Sequence, residues 1–167
     1  MLEQIKSNGQ RLVTIIDPHI KASDKEYFML TQGLKNDLFV KDFSGKPYTG
    51  HCWPSNSHWL DFMNPDVTRY LEDIYTGKTH INDETFIWTD NWVHIWNDMN
   101  EPACFEPTDK TMPKSNTHKF KDGRIIEHRD VHSLYGHYNS KATHNALMKR
   151  DPNDRPFILT RSFNAGT

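Results

Sequence analysis

The sequence predicts an α/β fold, a partial (β/α)8 barrel incomplete at both ends, and three observations carry that expectation. Short β-branched apolar runs alternate with segments whose apolar residues recur at helical spacing, the pattern of βαβ units and a parallel sheet. Long polar stretches follow two of those runs, where barrels of this kind place their site-bearing loops. Only three strand-like runs occur, too few to close a barrel of about eight strands.

Leu2 to Asn8 has the character of a closing helical turn, stopped at Gly9, which tolerates the left-handed backbone of a helix end. A helix end without a visible start predicts that the chain opens inside a larger domain. Arg11 to Asp17 (RLVTIID) is short, apolar and β-branched, and is expected to be a buried strand ended by Asp17-Pro18. Residues 18–63 show no sustained period and carry turn residues at Gly33, Gly45-Lys46-Pro47, Gly50 and Pro54. They are expected to form one long loop, and long loops in compact domains are usually functional.

Asn64-Pro65-Asp66 is a helix start, with a capping Asn and Pro at the first helical position. Val67, Tyr70, Leu71, Ile74 and Tyr75 then make one apolar stripe, and Gly77 ends it. A second strand is expected near His94 to Asn97, running into Asp98-Met99-Asn100-Glu101-Pro102. Residues 103–129 are polar and charged, and are expected to form a second loop. Asp130 is expected to cap a helix reaching about Arg150, with Val131, Leu134, Tyr135, Tyr138 and Ala142 facing inward. Pro152 and Pro156 bracket a turn, and Phe157 to Thr160 is the third strand.

Composition bounds the rest. The 167 residues and 19.6 kDa fit one ordinary domain. Leu, Ile, Val and Phe make up about a fifth of the chain, near the floor for a packed core. The formal net charge of −2 argues against a nucleic-acid binder held by phosphate contacts. A mean hydropathy of −0.81 and the absence of any apolar run near 18 residues exclude insertion as a membrane-spanning helix. No basic stretch followed by an apolar one opens the chain, so no secretory signal is visible. A 12% aromatic content in so polar a chain suits the wall of a binding site. Cys52 and Cys104 could form one bridge, although two free thiols are favoured.

The densest chemistry lies in Trp96-Asn97-Asp98-Met99-Asn100-Glu101-Pro102. A carboxylate at a strand end can face a pocket while its backbone stays fixed in the sheet. Strand alternation puts Trp96 on the same side as Asp98. A ring beside a carboxylate suits a sugar, whose C–H face stacks on the ring while its anomeric carbon meets the oxygen. Retaining glycoside hydrolysis uses one carboxylate to attack that carbon and a second, about 5–5.5 Å away, to protonate the leaving oxygen. An isolated Asp at a strand end is ordinarily a turn or helix cap; here its neighbours form a recognisable pattern.

That pattern resembles the nucleophile signature of glycoside hydrolase family 31, Trp-x-Asp-Met-Asn-Glu-Pro, and the resemblance runs nearly end to end. Val13 to Ile20 (VTIIDPHI) is similar to the family's third barrel strand, and Cys52-Trp53-Pro54 with Asp61-Phe62-x-Asn64-Pro65 to its next site loop. Thr111-Met112-Pro113, Glu127 to His132 (EHRDVH) and Tyr135-Gly136 resemble the stretch after the nucleophile, and Arg155 to Phe163 the fifth strand. The resemblance implies a fragment, residues 1–167, of the catalytic barrel of a retaining α-glucosidase, covering about strands three to five. It implies Asp98 as nucleophile and Ile16, Trp53, Trp96 and Met99 as walls of the glucose pocket. Asp17 would either bond sugar hydroxyls or only tie its loop, and Glu101 would support the nucleophile loop or act directly.

Implied partners are an α-glucoside or oligosaccharide, with no cofactor and no metal. Within the family, Cys-Trp-Pro with His-Arg-Asp-Val-His points to the endoplasmic-reticulum branch. An ER-lumen location and a regulatory beta subunit follow as expectations. The resemblance places the acid/base Asp and a sugar-clamping Arg beyond Thr167, so the isolated chain is expected to be inactive. Three alternatives stand beside this reading. The chain could be a truncated product without activity, a carbohydrate-binding or assembly fragment, or part of a family member with lyase or glycosyl-transfer chemistry. The His128/His132 spacing also invites a metal reading, but no His-Glu-x-x-His run supports it.

Overall fold

The computed structural model describes residues 2–23, 26–78, 80–81, 84–85, 87–106 and 108–167. A short helix, α1 (Leu2–Ser7), leads through Gly9, at φ 70°, into strand β1 (Leu12–Ile16). β2 (His19–Lys21), α2 (Phe28–Lys35), β3 (Gly50–Cys52) and β4 (Ser55–Trp59) follow, then α3 (Pro65–Tyr75). Beyond the two-residue strands β5 (His80–Ile81) and β6 (Glu84–Thr85), β7 (Val93–Asn97) enters the sheet. A hairpin, β8 (Thr117–Lys119) and β9 (Ile125–Glu127), precedes α4 (His128–Val131), α5 (Tyr135–Arg150) and β10 (Ile158–Thr160).

β1, β7 and β10 form one parallel sheet in the order β1-β7-β10, and among the described residues it does not close into a barrel. Ile16, Asn97 and Thr160 pair at the same level, so the next residue of each strand, Asp17, Asp98 and Arg161, leaves the sheet at a common edge. The ladder continues one step past the strands, from Asp98 N–H to the Ile16 carbonyl and from Arg161 N–H to the Asn97 carbonyl.

α3 forms as expected. Asn64 caps it by accepting the Asp66 N–H at 3.0 Å, and Val67, Tyr70, Leu71, Ile74 and Tyr75 are all buried. α5 packs on the sheet face that carries Val93 and Ile95, both fully buried, and α3 packs on α5. The opposite face, with Val13, Ile15, Phe157 and Leu159, is 42 to 54% exposed. β1 is therefore not the buried strand expected from its composition: alternate side chains face away from the helices, and nothing described covers them.

Three further expectations are corrected. Residues 18–63 are not one loop: β2, β4 and β3 make an antiparallel sheet, and α2 packs beside it. Gly33 lies inside α2 because the Phe39 ring sits where a side chain would be, with a Cβ there only 2.3 Å from the ring. The glycine is required by this close approach, not by a turn. Residues 103–129 contain the β8–β9 hairpin, held to the rest of the chain by Lys41 and Thr117, which exchange backbone hydrogen bonds of 3.2 and 2.8 Å. Asp130 is not a cap. Helix α4 starts two residues earlier, where His128 N–H bonds the Asn116 carbonyl at 2.7 Å and Arg129 N–H the Lys114 carbonyl at 3.1 Å. These carbonyls satisfy donors that a capping side chain would otherwise take. A 3-10 turn at His132–Leu134 then breaks the expected continuous helix and leaves Leu134 38% exposed. Cys52 and Cys104 are both free thiols, and both are buried.

Candidate active site

Asp98 sits at the end of the central strand, its side chain 18% exposed. Its Oδ1 accepts the Met99 N–H at 2.9 Å and lies 3.1 Å from Nη1 of Arg161. Oδ2 has no hydrogen bond among the described residues. Met99 is buried at φ 55°, an unusual backbone for a side chain of its size. The turn is held by the Ala103 N–H on the Met99 carbonyl and by Asn100, which is fully buried. The Asn100 amide donates to Asn139 of α5 at 3.1 Å and to Thr160 of β10 at 2.9 Å, and its Oδ1 accepts the Ser162 N–H. The loop after β7 is thus tied to a helix and to the neighbouring strand.

Arg161 is the cation of the site. Its Nε and Nη2 each donate to a Glu101 carboxylate oxygen at 2.8 Å, and Nη2 also lies 3.1 Å from the Met99 sulfur. The two-point Arg161 bond holds the Glu101 carboxyl below the usual carboxylate range. Asp17 stands at the same sheet edge. Burial raises its pKa, the Asp98 charge raises it further, and Arg161 opposes both. Its Oδ2 lies 3.6 Å from Nε2 of His19, whose pKa burial lowers to about 4, so this imidazole is neutral near pH 7.

The structure brings Asp17, Asp98, Met99 and Glu101 together around Arg161. Ile16, Asp17 and Trp53 share the wall of a cavity of about 680 Å³. Trp53 is 70% exposed and meets the edge of Phe105 at a centroid distance of 4.7 Å. Trp96 pairs with Ile15 and Leu159 on the face of the sheet opposite the helices, whereas Ile16 pairs with Asn97. Sequence reasoning missed Arg161, Asn100 and Phe105 as site residues. The signal for Arg161 was its place directly after a strand, level with Asp98. Among the described residues no three His, Cys, Asp or Glu side chains form a metal-binding group, and no helix is long and apolar enough to cross a membrane.

Carboxylates and a guanidinium at the C-terminal edge of a parallel sheet, with aromatic rings beside them, mark an α/β domain with its polar site on the loop face. The chain belongs to glycosyl hydrolase family 31: the TIM-barrel domain of that family matches residues 1–167. The glucosidase 2 subunit alpha of Schizosaccharomyces pombe is 41% identical over 169 residues, which cover 100% of this chain and 17% of that relative. A crystal structure of a glucosidase II alpha subunit in a Glc1Man2-bound form superposes with a TM-score of 0.84 at 40% identity, over 98% of this chain and 17% of that one. A heterodimeric ER glucosidase II complex, catalytic subunit with the binding domain of the regulatory subunit, gives the same TM-score at 41% identity, over 98% and 17%. The chain therefore spans about a sixth of the length of these relatives.

Proposed function

We propose that these residues are a segment, about strands three to five, of the catalytic barrel of a retaining α-glucosidase that removes terminal glucose from α-glucosides. The observation that carries this reading is Asp98, fixed through Oδ1 and open at Oδ2, at the sheet edge beside Arg161. In the first step Asp98 attacks the anomeric carbon and the glycosidic bond breaks. The proton for the leaving oxygen comes from an acid that the family resemblance assigns to the sixth strand. Water then displaces Asp98 with the same residue acting as base. Glu101 keeps Arg161 against the nucleophile, and Trp53 with Asp17 and Ile16 offers a wall for the sugar.

We extend the reading to an ER-lumenal enzyme that trims N-glycan glucose alongside a regulatory beta subunit; the similarity to an ER glucosidase II complex of a catalytic subunit with the binding domain of a regulatory subunit supports it. The exposed sheet face of Val13, Ile15, Phe157 and Leu159 supports the view that these 167 residues do not work as an isolated enzyme.

The test is covalent trapping of the full-length protein by a 5-fluoroglucosyl fluoride, followed by peptide mapping. Label on Asp98, and none in Asp98→Asn, is expected. Undiminished labelling of Asp98→Asn would sink the assignment.

A further inference from the structure

Helix α5 turns a polar face to the sheet where a covering helix is ordinarily apolar. Gly136, Asn139 and Thr143, spaced i, i+3 and i+7, share that face, and all three are buried. A Cβ on Gly136 would lie 2.7 Å from the Ser162 carbonyl oxygen, so α5 presses directly on the loop after β10. Oδ1 of Asn139 accepts the Asn100 amide at 3.1 Å, in the loop after β7. The Thr143 hydroxyl donates to Oδ1 of Asn97 at 3.2 Å, within β7 itself.

Asn100 uses its whole amide. The Ser162 N–H can only donate, so it faces Oδ1 of Asn100, at 3.0 Å. That settles which way the amide is turned: Nδ2 faces Asn139 and, at 2.9 Å, Oγ1 of Thr160. Asn100 thus joins the loop after β7 to the loop after β10 and to α5. Asp98 stands two residues before Asn100, and Arg161 one before Ser162, so this junction governs how the two charges approach to 3.1 Å. The Asp98 side chain is aimed by the Met99 N–H, and Met99 holds φ 55°, a backbone that persists only where its surroundings fix it.

Packing alone does not call for the Asn139–Asn100 pair. Burying an amide is unfavourable unless its hydrogen bonds are made. Replacing both partners of such a bond by apolar groups of the same shape can be nearly neutral for stability. Two apolar side chains would therefore hold α5 on the sheet, but without the direction and length that a hydrogen bond imposes on the loop.

We propose that Asn139 is a positioning residue for the chemistry of Asp98: its bond to Asn100 fixes the loop after β7 against the loop after β10, and with it the approach of Arg161 to Asp98. The inference deepens the nucleophile reading and rests on it.

The experiment uses the full-length protein, p-nitrophenyl α-D-glucopyranoside as substrate and the 5-fluoroglucosyl fluoride as trap. Asn139→Leu keeps the volume and lacks the acceptor. It should slow kcat and trapping on the order of 10-fold, a fraction of what a misplacement of about 1 Å costs. KM should stay within about twofold, because the lost alignment acts on the transition state. Asn139→Asp, which keeps an acceptor in the same place, should recover most of the rate. Thr143→Val is the control for packing: it removes a bond from the same helix face that ends on the strand rather than on the loop, and kcat should stay within about twofold. Asn139→Ala makes the same test should the leucine variant fail to fold. A wild-type trapping rate in folded Asn139→Leu or Asn139→Ala overturns the inference. So does an equal loss of kcat in Thr143→Val, or an Asn139→Asp rate no better than that of Asn139→Leu. If the unaltered protein is not labelled at Asp98, the nucleophile reading itself has failed, an outcome distinct from these.

Discussion

Two aspartates, Asp61 and Asp98, both sit just past the end of a strand, and their surroundings give them opposite work. Asp61 is buried, with both oxygens taken by His118 and by backbone N–H groups. Asp98 is part-exposed, tied through Oδ1 alone, and faces a guanidinium that is itself 45% exposed. A buried carboxylate with both oxygens bonded inside the protein can hold structure but cannot meet a substrate. A carboxylate anchored by one oxygen at an open sheet edge leaves the other free to meet a ligand. The lesson is that the count of satisfied lone pairs separates the two roles.

The sharpest way to break this comparison is to remove each carboxylate. Asp61→Ala leaves a buried imidazole file without its anchor and should cost about 3–5 kcal/mol, seen as a lowered unfolding temperature of the full-length protein. Asp98→Asn should shift stability by less than about 1 kcal/mol while abolishing trapping. Equal stability losses in the two variants would erase the distinction.

Acid should act on the buried imidazoles next. His19 and His128 have folded pKa values of about 4 and about 3, against 6.5 in the unfolded chain. The unfolded state therefore takes up protons first, and stability present above pH 6.5 is lost as pH falls toward those values. For His19 the loss is on the order of 3 kcal/mol, and His19→Gln should flatten the fall in unfolding temperature between neutral pH and about pH 4.

Smaller effects sharpen the contrast. The Tyr135 hydroxyl donates to the Leu60 carbonyl at 2.5 Å, beneath the Asp61 cluster. Tyr135→Phe orphans that buried acceptor and should cost about 1–3 kcal/mol in urea unfolding. Glu101→Gln removes a half-exposed ion pair with Arg161 and should change stability by less than about 1 kcal/mol. Its effect should appear in kcat, measured on the glucoside substrate.

Legibility followed the range of the forces involved. α3 could be read residue by residue, because its cap, its Pro65 and its apolar stripe all lie within a dozen positions. The three parallel strands could be read from their β-branched runs. β2, β3 and β4 could not: Ser55-Asn56-Ser57-His58-Trp59 has no strand-like composition, and its backbone is recruited by pairing with His19–Lys21. α4 escaped detection because its first donors are satisfied by carbonyls of residues 114 and 116 rather than by a local cap.

The same division runs through the site. The Trp96 to Pro102 segment announced a strand-end carboxylate and, by resemblance, its chemistry. That Ile16 and Trp96 face opposite ways was hidden, because it depends on the register between strands some eighty residues apart.

The sequence by itself determined α3, the alternation of strand and helix, and Asp98 with its flanking motif, because each is written in contiguous residues whose spacing matches a backbone period. Only the tertiary structure decided that Arg161 would bridge Asp98 and Glu101, that Asn100 would lock their loop, and that Asp61 would meet His118 and His118 in turn His128. Those contacts join residues tens of positions apart, and a hydrogen bond of 2.8 Å depends on where the chain returns in space, which no local pattern encodes.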